Sequence, residues 1–160
     1  MKGGDDMDGG RLTVLQIEET LKKCRKQIFV IESLQKMQVE ISKQMEYVKG
    51  MNYERPHVSS SDISDLGAKV EAADERLREL DEKVAAAIET QVALRLDALD
   101  LIEQCETSVQ MAVLMNYYVL GYSWEEVAKK ISYAEISVYK IRYAALKAIE
   151  RRTNKNEKII

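Results

Sequence analysis

Residues 123–149 read SWEEVAKKISYAEISVYKIRYAALKAI, and their spacing describes two short helices joined by a tight turn. Ser123 and Glu126 stand in the S-x-x-E arrangement of a capping box, with Tyr122 and Val127 placed as its hydrophobic staple. Trp124, Val127, Ala128 and Ile131 give the first helix an inner face, and the small Ala128 lets a crossing helix approach closely. Ser132-Tyr133-Ala134 is the turn. The next helix buries Val138, Ile141, Ala145, Leu146 and Ile149; Glu135, Ile136, Ser137, Tyr139 and Lys140 face outward, followed by Arg142 and Tyr143. Upstream, Thr107 or Ser108 caps a helix over residues 109–120, which Gly121 closes in the left-handed region.

Three helices in this order make a helix-turn-helix module, whose last helix presents its leading exposed side chains to the major groove of DNA. In that setting Lys140 reaches guanine, Glu135 accepts from cytosine and Ile136 meets a thymine methyl. Lys129, Lys130, Arg142, Lys147, Arg151 and Arg152 are placed to meet phosphates, which supplies affinity without sequence choice. The competing reading is a helical pair that only packs, its charges a solvated face.

Working back towards the start, the pattern becomes that of a coiled coil. Ile63, Leu66, Val70, Ala73, Leu77, Leu80, Val84, Ala87, Gln91, Leu94, Ala98, Leu101 and Cys105 alternate steps of three and four, and twelve of those thirteen positions are apolar. Gln91 is the polar exception, expected to be buried and to set register. Ile88, Val92, Leu99 and Ile102 widen the stripe, so this part is expected to touch more than one neighbour. A second stripe runs through Val14, Ile17, Leu21, Cys24, Ile28, Ile31, Leu34, Gln38, Ile41, Met45 and Val48, with a phase slip at Leu34. Between the two stripes, residues 50–61 hold Gly50, the only Pro and three successive serines, and so form a loop. The expectation is an all-α protein: an antiparallel coiled-coil hairpin over residues 11–106, then a tri-helical module over 107–150 and a basic tail over 151–160. Pairing of either long helix with another copy, giving a homo-oligomer, is the alternative. Folding about residue 55 sets Cys24 opposite about residue 86, far from Cys105, which argues against a disulfide within one hairpin.

Bulk properties bound the function. The 160 residues are 46% hydrophobic and 32% charged, with one Pro and seven Gly, as suits long amphipathic helices. No apolar run approaches the roughly 18 residues that span a bilayer. The opening MKGGDDMDGG (residues 1–10) reads as a disordered acidic tail rather than an export leader, so a cytoplasmic location without membrane contact is expected. Net charge is −3, yet it is unevenly spread: +1 over residues 1–53, −8 over 54–108 and +4 over 109–160. A basic end on an acidic rod suits a nucleic-acid partner. The two cysteines lie on apolar stripes and the only histidine, His57, lies in the loop, so neither a metal site nor another cofactor is expected. Without a Gly-rich phosphate loop or a nucleophile–base pairing, the chain does not read as an enzyme; the carboxylates between Glu71 and Glu82 track the coiled-coil exterior.

The segment LMNYYVLGYSWEEVAKKISYAEISVYKIRYAALKAIE resembles region four of bacterial sigma factors, the tri-helical domain that reads the promoter's minus-thirty-five element. The longer arrangement is similar to small phage and prophage proteins described as sigma-like or late-operon (ArpU-like) transcriptional regulators. The likeness implies that Glu135, Ile136, Ser137 and Lys140 face bases. It also implies double-stranded DNA as the partner, with host RNA polymerase as a further one. Two features depart from the pattern. Ala134 stands where Ser or Thr usually opens the reading helix, with Ser132 and Glu135 expected to form a substitute capping box, and Glu135 dilutes the otherwise basic reading surface. Nothing resembles the sigma region that melts DNA, which points to an activator rather than a complete initiation factor. A DNA-packaging protein of small-terminase type and a protein-only coiled-coil adaptor are the other functions compatible with this architecture.

Overall fold

Thr13 and Gln16 open the first helix reciprocally: the Gln16 N–H donates to Thr13 Oγ1 at 3.3 Å and the Thr13 N–H to Gln16 Oε1 at 3.0 Å. This T-x-x-Q capping box satisfies donors that a helix start otherwise leaves open. A computed structural model describes residues 10–53 and 60–159 as five α-helices: α1 (Val14–Tyr53), α2 (Ser60–Ile102), α3 (Ser108–Leu114), α4 (Trp124–Ile131) and α5 (Glu135–Asn156). The expected tail up to residue 9, the centre of the expected loop and His57 lie outside the described residues. No helix is long and apolar enough to cross a membrane among the described residues. Gly50 does not end α1, which continues to Tyr53; one exposed glycine near a helix end costs about 1 kcal/mol at most.

The chain divides into two units, residues 27–90 and residues 1–26 with 91–160. In the first, α1 and α2 run antiparallel, since Gln27 donates to the Ala87 carbonyl at 3.0 Å and Gln38 to Asp81 at 2.5 Å. Ile31, Met45, Leu80, Val84 and Ala87 are buried along that seam, flanked by half-buried Leu34, Ile41, Leu66, Val70 and Leu77. The three-four periodicity of both stripes thus becomes the contact line. Two expectations are corrected. Gln91 is half-buried rather than enclosed, and of the four residues that widen the stripe Ile88 and Val92 face solvent at 41% and 53% exposure, whereas Leu99 is half-buried and Ile102 is fully buried as expected.

The second unit has two apolar clusters. The larger joins Ile17, Leu21 and Cys24 of α1 to Ala98, Ile102 and Cys105, to Leu114, Tyr118 and Val119, and to Ala145, Leu146 and Ile149. Each fully buried aliphatic side chain contributes about 1.5–3 kcal/mol. The smaller cluster is the heart of the helix-turn-helix: Val113, Val127, Ala128 and Val138, with Tyr122, Trp124, Ile131 and Ile141 against it. Both cysteines are buried and free. Burial pushes both thiols above their ordinary pKa, Cys105 to about 11.

Residues 151–156 are not a tail, because α5 runs on to Asn156. The reason is tertiary. Asn154 accepts from the Leu12 N–H at 3.1 Å and donates to the Leu12 carbonyl at 3.3 Å, while Glu150 accepts from the Val14 N–H at 2.8 Å. The last turns of α5 therefore hold the start of α1.

Candidate nucleic-acid interface

The turn between α4 and α5 depends on how each neighbouring helix ends. Thr107 caps α3, its hydroxyl accepting from the Gln110 N–H at 3.2 Å. Past Leu114 the helix widens into a π-turn over Met115–Val119, where a single continuous helix was expected. The extra residue turns Tyr118 into the larger cluster and Tyr117 towards Trp124, their rings stacked 3.5 Å apart at 9°. Arg25 of α1 donates to the Tyr117 carbonyl at 2.5 Å and the Tyr122 carbonyl at 2.9 Å, with its guanidinium 3.9 Å from the Tyr117 ring centre. The Tyr117 carbonyl in the widened turn and the Tyr122 carbonyl just before α4 are thereby satisfied from another element.

Gly121 has φ +82°, as the left-handed residue closing a helix. The capping box at α4 is complete: Glu126 N–H to Ser123 Oγ at 3.2 Å and Ser123 N–H to Glu126 Oε2 at 2.8 Å. Hydrogen bonds from the backbone and side chain of Ser123 hold the Glu126 carboxyl below its usual pKa. The expected second box is absent. Ser132 instead takes the left-handed conformation (φ 59°, ψ 42°) that ends α4, and the Tyr133 N–H closes the turn on the Ala128 carbonyl at 3.0 Å. Ala134 caps α5 without a side-chain bond. Glu135 turns along its own helix and accepts from the Tyr139 hydroxyl at 3.1 Å.

The start of α5 is turned to solvent. Ile136 is 68% exposed, Glu135 and Lys140 are exposed, Ser137 is half-buried, and Val138 behind them is fully buried. Among the described residues Lys140 makes no ion pair. Tyr139 and Tyr143, expected to face outward, are exposed rings on α5, and Tyr133 of the turn is exposed as well. Trp124 fixes α4 against α5 from beneath, its ring 5.5 Å from that of Tyr139.

Each of the six cations assigned to phosphates has a partner within the protein. Lys129 pairs with Glu125 at 2.8 Å, which raises the lysine pKa and lowers the carboxyl's. Lys130 lies 4.2 Å above the Tyr122 ring. Lys147 stands 3.7 Å from Glu150. Arg151 binds Glu106 at 2.9 Å, and Arg152 donates to the Cys105 carbonyl at 3.1 Å. Arg142 departs furthest from its expected role. It is half-buried, donates to the Tyr118 hydroxyl at 2.9 Å and to Glu18, and sits 5.8 Å from the Trp124 ring centre. Burial works against the Arg142 charge, but the Tyr118 hydrogen bond and the Glu18 carboxylate outweigh it and hold the guanidinium above its usual pKa. Its partner lies 124 positions away, so helical spacing alone places Arg142 outward.

Comparison with protein-family models, with curated proteins and with solved structures finds no match.

Proposed function

We propose that this chain is a DNA-binding regulator of transcription, of the phage or prophage late-operon type, acting in the cytoplasm and resembling sigma region four in its last three helices. One observation supports it above the others. The leading turns of α5 are solvent-facing, with Glu135, Ile136 and Lys140 exposed, while Val138, Ala145 and Ile149 hold the helix from behind. An α-helix presented in this way fits the major groove, where its first exposed side chains meet base edges. Lys130 flanks that face and is proposed to meet phosphate. Contact with host RNA polymerase belongs to the same proposal, as the partner that an activator at a promoter would recruit.

The exposed Tyr133, Tyr139 and Tyr143 also favour a second reading, in which this face docks on a protein. Selection of duplexes from a random pool, followed by titration of the winner and of a scrambled duplex across salt concentrations, separates the two. Enrichment of one sequence with a salt-dependent affinity is expected. No binding to any duplex at low salt overturns the DNA reading in favour of the protein-only one. The particle mass, measured by light scattering on the same sample, shows whether the hairpin pairs copies of the chain.

A further inference from the structure

The end of α5 and the start of the chain form a recess of about 270 Å³, lined by Arg11, Arg151, Asn154, Lys155 and Lys158. Arg151, Lys155 and Lys158 follow one another at steps of four and three. They share one face of α5 and of the short 3₁₀ turn, Glu157–Ile159, that continues it. Arg11 reaches that face only through tertiary contact: Asn154 bonds both backbone groups of Leu12, and Glu150 accepts from the Val14 N–H. Among the described residues, Glu106 pairs with Arg151, and no carboxylate pairs with Arg11, Lys155 or Lys158. Glu157 turns its carboxylate towards Gly10. The C-terminal end of a helix attracts cations to its carbonyls, which accounts for Lys155. It does not account for Arg11, which lies outside any helix and is held among three like charges in a chain of net charge −3.

Converging cations with a single paired carboxylate leave a surplus of positive charge, which a multivalent anion offsets. We infer that this recess is a binding site for a compact phosphate, with diphosphate held more tightly than orthophosphate. The guanidinium forks of Arg11 and Arg151 match pairs of phosphate oxygens, and the ammonium groups of Lys155 and Lys158 add charge. The recess falls below the roughly 300–1,000 Å³ of pockets that enclose larger ligands. Among the described residues no aromatic ring lines it for a base to stack on. Bound phosphate bridges Arg11 to α5 and so tightens the hold of the last helix on the start of the first. The site is separate from the proposed DNA face, since Arg151 follows Ile136 by fifteen positions, about 22 Å of helix.

The test titrates the full chain with inorganic phosphate and with diphosphate by calorimetry at constant ionic strength. Saturable one-to-one binding of diphosphate is expected, together with a urea midpoint that rises with its concentration. Arg11→Gln and Lys155→Gln, both at exposed positions, should each weaken binding about tenfold. Lys36→Gln in α1 removes the same charge elsewhere and should change nothing. Absence of saturable phosphate binding overturns the proposal, as does an equal loss in Lys36→Gln, which would make the effect one of overall charge. A hexaglutamate peptide and a scrambled duplex are titrated alongside. If either binds through Arg11 and Lys155 and phosphate does not compete, the recess belongs to an acidic protein segment or to DNA backbone, and the assignment falls. The DNA-binding reading stands or falls separately, by duplex selection.

Discussion

Glu18, in the second turn of α1, forms an ion pair with Arg142 in the middle of α5, and the Tyr118 hydroxyl completes the bond set around the guanidinium. The side chains are 17% and 23% exposed, so water screens this pair less than it does the surface pairs. Its consequence is that the first helix of the chain is a structural part of the module formed by the last three.

Removing Glu18 leaves a half-buried cation facing a hydroxyl and an aromatic ring without this carboxylate. Glu18→Ala is therefore expected to cost about 1–3 kcal/mol of stability by urea denaturation. Arg142→Ala should cost a similar amount yet leave the salt dependence of DNA affinity unchanged, because Tyr118 and Glu18 already engage the group. A slope reduced by about one in Arg142→Ala would return it to the phosphate set.

Lys140 and Lys130 should behave differently on DNA. Lys140→Ala is expected to weaken the selected duplex and spare a scrambled one, whereas Lys130→Ala should weaken both alike and lower the salt slope by about one. Arg151→Ala, already paired with Glu106, should do less than either. Anisotropy titrations on the two duplexes at several salt concentrations decide this. Equal losses for Lys140→Ala on both sequences would remove it from the reading face.

Ser132 occupies a backbone region that costs an L-residue about 1–2 kcal/mol. Ser132→Gly relieves that strain and gives back part of the gain to the freer unfolded chain. A net stabilisation of about 0.5–1 kcal/mol is expected, read as a higher urea midpoint with an unchanged slope. Lower stability would mean that the serine side chain contributes to the turn.

Burial raises the Cys105 thiol from 9.0 to about 11, and raises Cys24 and the Tyr118 hydroxyl in the same direction. The native state therefore keeps protons that the unfolded chain gives up. The sign follows: stability linked to Cys105 is complete below about pH 9 and falls as pH rises towards 11. Urea midpoints measured across that range should decline, less steeply in Cys105→Ala. Both thiols should also label slowly in the native protein at neutral pH, and fast labelling would contradict their burial.

Patterns that act locally were legible. The two apolar stripes became the contact lines of α1 and α2, and Thr107, Gly121 and the Ser123–Glu126 box stand where their spacing put them. Each of these rests on neighbours within four residues, and such rules hold whatever surrounds them. The capping box at Thr13 and Gln16 carried the same kind of signal and was missed. At Ser132 two local rules competed. It could cap the helix that follows or close the one before, and the Tyr133–Ala128 bond selected closure.

What the chain's order of residues determined by itself was the helical fold class, the starts of α3 and α4 with the Gly121 turn between them, and the solvent-facing side of α5's first turns. Tertiary structure alone decided that Arg25 serves the Tyr117 and Tyr122 carbonyls, that Glu18 draws Arg142 inward, and that Asn154 extends α5 by holding Leu12. The physical reason is distance along the chain. Periodicity reports which side of a helix faces the interior. The group that meets a charge or an unpaired carbonyl there comes from a segment roughly a hundred residues away, and only the folded packing brings it within hydrogen-bonding reach.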